Sequence, residues 1–248
     1  MLTLIPISLL LGVAMLWVFA RTANQKAIKA AKRRLQAYLY EMRLFTDEPS
    51  LVWKAHMGLL AANARYIGLM LVPAIVLTVP MVLLFAHLEA WYGRAPLPLG
   101  RAALVTLQMK AALDPAAPSP GLSAPPEVAV ETPPVRVLSE RQVSWRIRPK
   151  APVSGVLRIV LPSGAVEKRI EAGTGMRYIS DRRVSGLLDR VWHPAEPRLP
   201  AGDIDWIEIS YPSATMHWLG LDLHWLFWLL LFSMLSALLL KNRFGVTF

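Results

Sequence analysis

Three stretches of the chain are almost wholly apolar. Residues 2–20 carry no charge at all. Residues 66–88 are uncharged except for His87 near their end. Residues 219–240 hold Asp222 and His224 near their start, then sixteen uncharged residues from Trp225 to Leu240. A helix needs about 20 apolar residues to cross the hydrocarbon core, so the pattern predicts three spans. Trp218, Trp225 and Trp228 are expected as belt residues, with Asp222 at the headgroup level. Val18-Phe19-Ala20 resembles a signal-peptidase site. Signal peptides carry their positive charge before the apolar run, and here the basic residues follow it, so the first stretch is expected as a retained span.

Between the first two stretches the period changes. Ile28, Ala31, Leu35, Tyr38, Leu39 and Met42 recur at spacings of three and four, the mark of a helix with one apolar stripe. Lys26, Lys29, Lys32, Arg33 and Arg34 fall mostly off that stripe. Thr46-Asp47-Glu48-Pro49 combines a cap residue, early acids and a first-turn proline. From about Ser50 a second helix follows, with Leu51, Ala55, Leu59 and Ala62 on one face. No breaker separates it from Tyr66, so it is expected to continue into the second span. The predicted object is a pair of antiparallel helices over residues 21–65.

Past residue 89 the period is two. Residues 103–110 and 142–148 alternate, and residues 155–161 and 165–170 are separated by the turn Pro162-Ser163-Gly164. Residues 204–210 alternate again and lead toward the third apolar stretch. Short strands about ten residues apart with turn signals between them indicate a small β-sandwich. Residues 114–134 are rich in Pro, Ala and Ser and read as a loop.

Composition agrees with a membrane location. Of 248 residues, 54% are hydrophobic and 18% charged, and the mean hydropathy is +0.40. Soluble domains carry about 25% charged residues. The absence of cysteine removes thiol chemistry and disulfide stapling. The net charge is +10, and residues 21–65 hold nine basic against three acidic residues. Lys241 and Arg243 follow the third stretch. Basic short loops stay on the cytoplasmic side. The expected layout is therefore residues 1–20 as a span with the N-terminus outside, 21–65 as a cytoplasmic hairpin and 66–88 as the second span. Residues 89–217 form an extracytoplasmic β-domain, 218–240 the third span, and 241–248 a cytoplasmic tail. This is a membrane α-helical protein with an added all-β, sandwich-like domain, placed by composition in a bacterial inner membrane.

Enzyme signatures do not emerge. His193 follows Asp189 and Ser185 closely, but a triad is a matter of geometry and not of sequence proximity. Gly173-Thr174-Gly175 is too short for a phosphate loop. His217 and His224, seven apart, are expected on one helical face, where interfacial polarity is the commoner role. No cofactor, metal, DNA or small-molecule substrate is indicated. Within the spans Pro73 and Pro80 free backbone carbonyls and bend the second helix. Thr78, Ser233 and Ser236 are available for hydrogen bonds between helices. Mid-membrane charge, the usual sign of an ion pathway, is missing from the sequence.

An outside N-terminus, a cytoplasmic helical hairpin, a span continuous with it and a third span with a basic tail resemble the YidC/Oxa-type insertase superfamily. The likeness is to its three-span members, such as archaeal YidC-like proteins and the insertase subunit of the endoplasmic-reticulum membrane complex. It is carried by residues 25–36, the turn at 46–49, and Leu69-Met-Leu-Val-Pro-Ala-Ile-Val-Leu-Thr-Val-Pro80, within residues 1–90 and 218–248. The resemblance implies a polar groove open to the cytoplasm and the lipid. Asn63 and Arg65 would stand at its mouth, with Pro73, Thr78, Pro80, Ser233 and Ser236 further in. Lys26, Lys29, Lys32, Arg33, Arg34, Leu35, Leu39 and Met42 would face a partner, a nascent membrane protein or a ribosome, beside membrane lipids. The sequence departs from the family in having only Arg65 near the groove and a long insertion between spans two and three. The other function consistent with the chain is a non-catalytic subunit or scaffold of an envelope complex, binding an envelope partner through the β-domain.

Overall fold

The computed structural model describes residues 3–45, 47–218 and 220–244. The expectations placed on Leu2, Thr46, Leu219 and the end of the tail lie outside the described residues. The chain forms two compact units, Met1–Met81 with Leu226–Phe248, and Val82–Trp225.

The first unit is helical. Helix α1 spans Leu4–Thr22 and α2 spans Gln25–Leu44. The break between them is chemical: the Asn24 side chain accepts a hydrogen bond from the Ala27 N–H at 3.0 Å, which caps the new helix and satisfies an orphan donor. Helix α3, Pro49–Tyr92, runs unbroken for 44 residues, about 66 Å at 1.5 Å per residue. It begins on Pro49, whose fixed φ suits a first turn. Helix α5, Trp225–Leu240, has 16 residues, about 24 Å. Helices α1 and α3 are long and apolar enough to cross a membrane; α5 is apolar but shorter.

The second unit begins with the last turns of α3, contains one short helix, α4 (Asp189–Trp192), and is otherwise mostly strand. Strands β1 (Ala103–Met109), β3 (Val128–Val130), β4 (Val135–Val137), β5 (Gln142–Pro149), β8 (Arg182–Val184) and β9 (Ile204–Ile209) form one sheet in the order β3-β5-β1-β9-β8, with β4 also on β5. Strands β2 (Gly121–Ser123), β6 (Val153–Leu161) and β7 (Gly164–Ala172) form a second sheet. Every strand-to-strand pairing in both is antiparallel. The two sheets share one core, in which Trp145, Ile147, Val105 and Leu107 of the first meet Leu157, Ile159 and Ile170 of the second. This is the sandwich logic expected from period-two alternation, with apolar faces inward. The β6–β7 hairpin pairs Leu161 with Gly164, and Gly164 adopts φ +138, which favours glycine.

Three local expectations are corrected. Residues 114–134 contain β2 and β3 and are not a continuous loop; strands of three residues are too short for alternation to show. Between β9 and the last helix lies a hairpin of β10 (Thr215–Trp218) and β11 (Leu221–His224), with Gly220 at φ +78 in its turn. Residues 221–224 are therefore extended, and the helix starts at Trp225. His217 and His224 do not share a helical face, because they sit on opposite strands of this hairpin.

Strand β7 lies at the edge of its sheet, where unpaired backbone groups invite association with another chain. Here they are occupied from the side. Leu97 N–H donates to Glu171 O at 3.0 Å, and Glu171 N–H donates to the Tyr211 hydroxyl at 2.9 Å. Arg169 N–H donates to the Glu196 carboxylate at 3.3 Å. The Arg183 guanidinium donates to Glu167 O.

Candidate functional site

The hairpin of α2 and the first half of α3 buries little. Ile28 and Ala31 are covered on α2, and Ala55 and Ala62 on α3. The Tyr38 ring lies against Gly58, where a Cβ would overlap it. Small residues at 55, 58 and 62 on one face of α3 thus admit the larger stripe of α2. Leu35 and Met42 are half-buried in this stripe, while Leu39 stays exposed. Lys26, Lys29, Lys32, Arg33 and Arg34 are all exposed. The hairpin therefore offers a basic face of five cations within nine residues, with Leu39 and Tyr40 as exposed apolar points.

Along α3, Asn63 and Arg65 are exposed, and Ile67, Leu71, Val72, Ile75, Val76 and Val79 follow, each more than two-fifths exposed. Soluble proteins seldom leave so continuous an apolar surface uncovered. Pro73 and Pro80 lie inside this helix, so the carbonyls of Leu69 and Val76 lose their usual helical donors. Thr78 is exposed and donates to Ala74 O at 2.8 Å, turning its hydroxyl back onto its own helix.

Ser233 and Ser236 lie elsewhere. Both are buried where α5 meets α1. Ser236 Oγ is 2.9 Å from Ser233 O and 3.3 Å from Leu9 O, and a Cβ at Gly12 would overlap both the Ser236 hydroxyl and the Ser233 carbonyl. Ser8, also buried, donates to Leu4 O at 2.7 Å. This is close packing through small residues, as helices use in lipid. Trp228 is likewise 2% exposed, so it packs inside the protein instead of standing in a belt.

In the β-rich unit the sequence reading assigned no site, yet the ionisable side chains there converge. Lys168 is fully buried on β7. Its Nζ donates to Glu196 Oε1 at 2.5 Å, to Ser180 O at 2.5 Å and to Ser180 Oγ at 3.1 Å. Burial pushes the Lys168 ammonium down from its ordinary value, against the opposing pull of the Glu196 carboxylate. A lysine beside a serine hydroxyl has the outline of a nucleophile and its base. Here all three ammonium N–H groups are directed to acceptors and Ser180 is itself buried, so the pair is arranged to brace strand β7.

Beside it, Asp181 accepts from Arg94 at 3.1 Å, stands 3.4 Å from His193 Nδ1 and accepts from the Arg182 N–H at 2.8 Å. Burial would raise its pKa; the His193 hydrogen bond, the Arg94 charge and the Arg182 amide outweigh it and hold the carboxyl at about 2. These groups border a cleft of about 100 Å³ that also includes Ala86, Glu89, Ala90 and Trp192. Organic ligands take sites of about 300 Å³ or more, so the cleft suits a few waters. Glu89 in turn accepts from Trp225 Nε1 at 2.9 Å, which buries Trp225 instead of leaving it in a belt. His193 thus pairs with Asp181, not Asp189, and Ser185 pairs with Asp205 at 3.3 Å. His217 stands 2.9 Å from Asp222. Among the described residues no three metal-ligating side chains converge. Sequence reasoning missed the Lys168–Glu196 and Arg94–Asp181 pairs because their partners are separated by 28 and 87 positions; a lysine on an inward position of an alternating strand was the one local signal.

A pH dependence follows. The Asp181 carboxyl is depressed in the folded state to about 2 from 3.8, so it stabilises the fold above about pH 4, and that contribution disappears as pH falls through 2. Asp181→Asn should lower stability at neutral pH by about 2 kcal/mol and flatten the acid limb of an unfolding curve between pH 4 and 2. Equal acid limbs in the two proteins would refute the assignment.

Comparison of the chain with protein-family models, curated proteins and solved structures gives no match.

Proposed function

We propose that this chain is an integral membrane protein that helps apolar segments of other membrane proteins to insert or assemble, in the manner of YidC-type insertases. The carrying observation is α3: the arm that packs against the basic helix α2 and an apolar run of 23 residues, exposed along much of its length from Ile67 to Val79, belong to one continuous helix. In this reading α1, the 66–88 portion of α3 and α5 cross a bacterial inner membrane. The N-terminus and the β-rich unit are outside, and the hairpin and tail are inside, as the basic residues favour. At about 24 Å, α5 is shorter than a roughly 30 Å hydrocarbon core, which favours local thinning of the bilayer beside it. Thinning lowers the barrier that a polar flank of a client helix must cross. The exposed side chains Leu39, Asn63 and Arg65 are the first contacts for a client, with the exposed Thr78 and Pro80 beyond them; Pro73 is buried and is not a contact.

Photocrosslinking residues introduced at Leu39, Asn63 and Thr78 should capture ribosome-bound nascent membrane proteins, and the same residue at Val160 on the β6 face should not. No client adduct at any of the three positions, together with normal membrane-protein insertion when the chain is deleted, would refute this reading. The apolar side chains left on the outer face of β6, Val156 and Val160, favour a second one: a scaffold that binds an envelope protein through the β-rich unit. An adduct at Val160 alone would select it.

A further inference from the structure

Between β8 and the His193 cleft the chain makes one tight turn that buries nothing at its tip. Leu187, Leu188 and Trp192 are 70%, 83% and 62% exposed, beside the exposed Arg190. The turn is not slack. Val191 N–H donates to Leu188 O at 3.0 Å and His193 N–H to Asp189 O at 3.0 Å. At its base, Ser185 N–H donates to Asp205 O at 2.8 Å, and the Arg198 guanidinium donates to Ser185 O. A short, anchored turn therefore holds two leucines and a tryptophan in the open.

Its position says what covers it. Trp192 and His193 line the same cleft as Ala86, Glu89 and Ala90 of α3. In sequence these residues close the uncharged run that starts at Tyr66, and Glu89 is the first charged side chain of α3 after Arg65. A run of 23 residues, about 35 Å long, places its last turn at the outer edge of the hydrocarbon core. Trp91, one residue past Ala90, is 45% exposed, and its ring lies 5.1 Å from that of Tyr178 at a tilt of 51°. Exposed tryptophans beside the end of a long apolar run, with an arginine for the phosphates, are the composition of a membrane–water boundary.

We infer that the Leu187–Trp192 turn dips into the outer leaflet, with Leu187, Leu188 and Trp192 among the upper acyl carbons and Arg190 on anionic headgroups. This rests on the membrane reading given above and adds a fourth, non-spanning contact with lipid, which ties the β-rich unit to the bilayer surface.

The chain has no cysteine, so single thiols can be placed at will in the full-length protein. Leu188→Cys, Val160→Cys and Ile75→Cys, all at exposed positions, are labelled with an environment-sensitive fluorophore. Each is reconstituted alone into phosphatidylethanolamine–phosphatidylglycerol vesicles carrying a quencher near the headgroup end of the acyl chain or at its far end. Position 188 should be quenched roughly twofold more strongly than 160 by the shallow quencher, and position 75 more by the deep one. Quenching at 75 with none at 188 overturns the inference and leaves the membrane reading intact. No quenching at 75 by either probe overturns both. Protection of 188 from aqueous iodide in native membranes but not in pure vesicles identifies a protein occupant, and that also overturns it.

Discussion

Lys168→Met should be among the most damaging single substitutions in the β-rich unit. Methionine fits the volume but leaves the Glu196 carboxylate, 3% exposed, without its cation. Breaking a buried pair from one side costs about 3–5 kcal/mol, whereas replacing both members is often close to neutral. Lys168→Met/Glu196→Gln should therefore recover a large part of the loss. Recovery will be incomplete, because Glu196 also accepts the Arg169 N–H of β7 and an amide does so less strongly. Urea unfolding followed by tryptophan fluorescence, with Trp145 in the core as reporter, measures all three proteins. A single variant within about 1 kcal/mol of the parent would mean that the lysine reaches water, and the bracing of β7 described above would fail.

Gly12→Val should have the next largest effect, on the helical unit. The β-carbon falls on the Ser236 hydroxyl and on the Ser233 carbonyl oxygen, so α1 and α5 must separate or shift. Overpacking of this kind costs about 1–3 kcal/mol, and the upper end is expected because one obstacle is backbone. Ser236→Gly added to Gly12→Val removes the hydroxyl but not the carbonyl, so it should rescue only partly. The readout is the thermal loss of helical circular dichroism in micelles. If Gly12→Val melts like the parent, the close approach of the two helices is absent.

Both effects arise at places where distant segments meet, and that divides what could be read from the residue order from what could not. Periodicity was sufficient for α2, for the continuity of α3 through Tyr66 and for strands β1, β5, β6, β7 and β9. Each is long enough for its own pattern of apolar positions to exceed chance. The three-residue strands β2, β3, β4 and β8 carry too few positions to show a period and exist because longer neighbours offer them hydrogen bonds. The β10–β11 hairpin was hidden by its apolar residues, which count equally toward a helix until Gly220 and the cross-strand pairing are seen.

For the candidate sites the division is sharper. The basic face of α2 and the apolar run of α3 were visible, because side chains on one helix keep a fixed angular relation. The same rule could not show that Ser233 and Ser236 are spent on packing against Gly12, or that Trp225 is drawn inward to Glu89. Nor could it bring Lys168 to Glu196 or Arg94 to Asp181, since sequence separation is silent about which strand edges need closing. Local order along the chain dictated the helices, the longer strands and the charge of the hairpin. Which polar groups are buried, which apolar ones stay outside, and so where lipid or a partner can bind, depended on long-range packing, because burial belongs to the assembled surface and not to any residue alone.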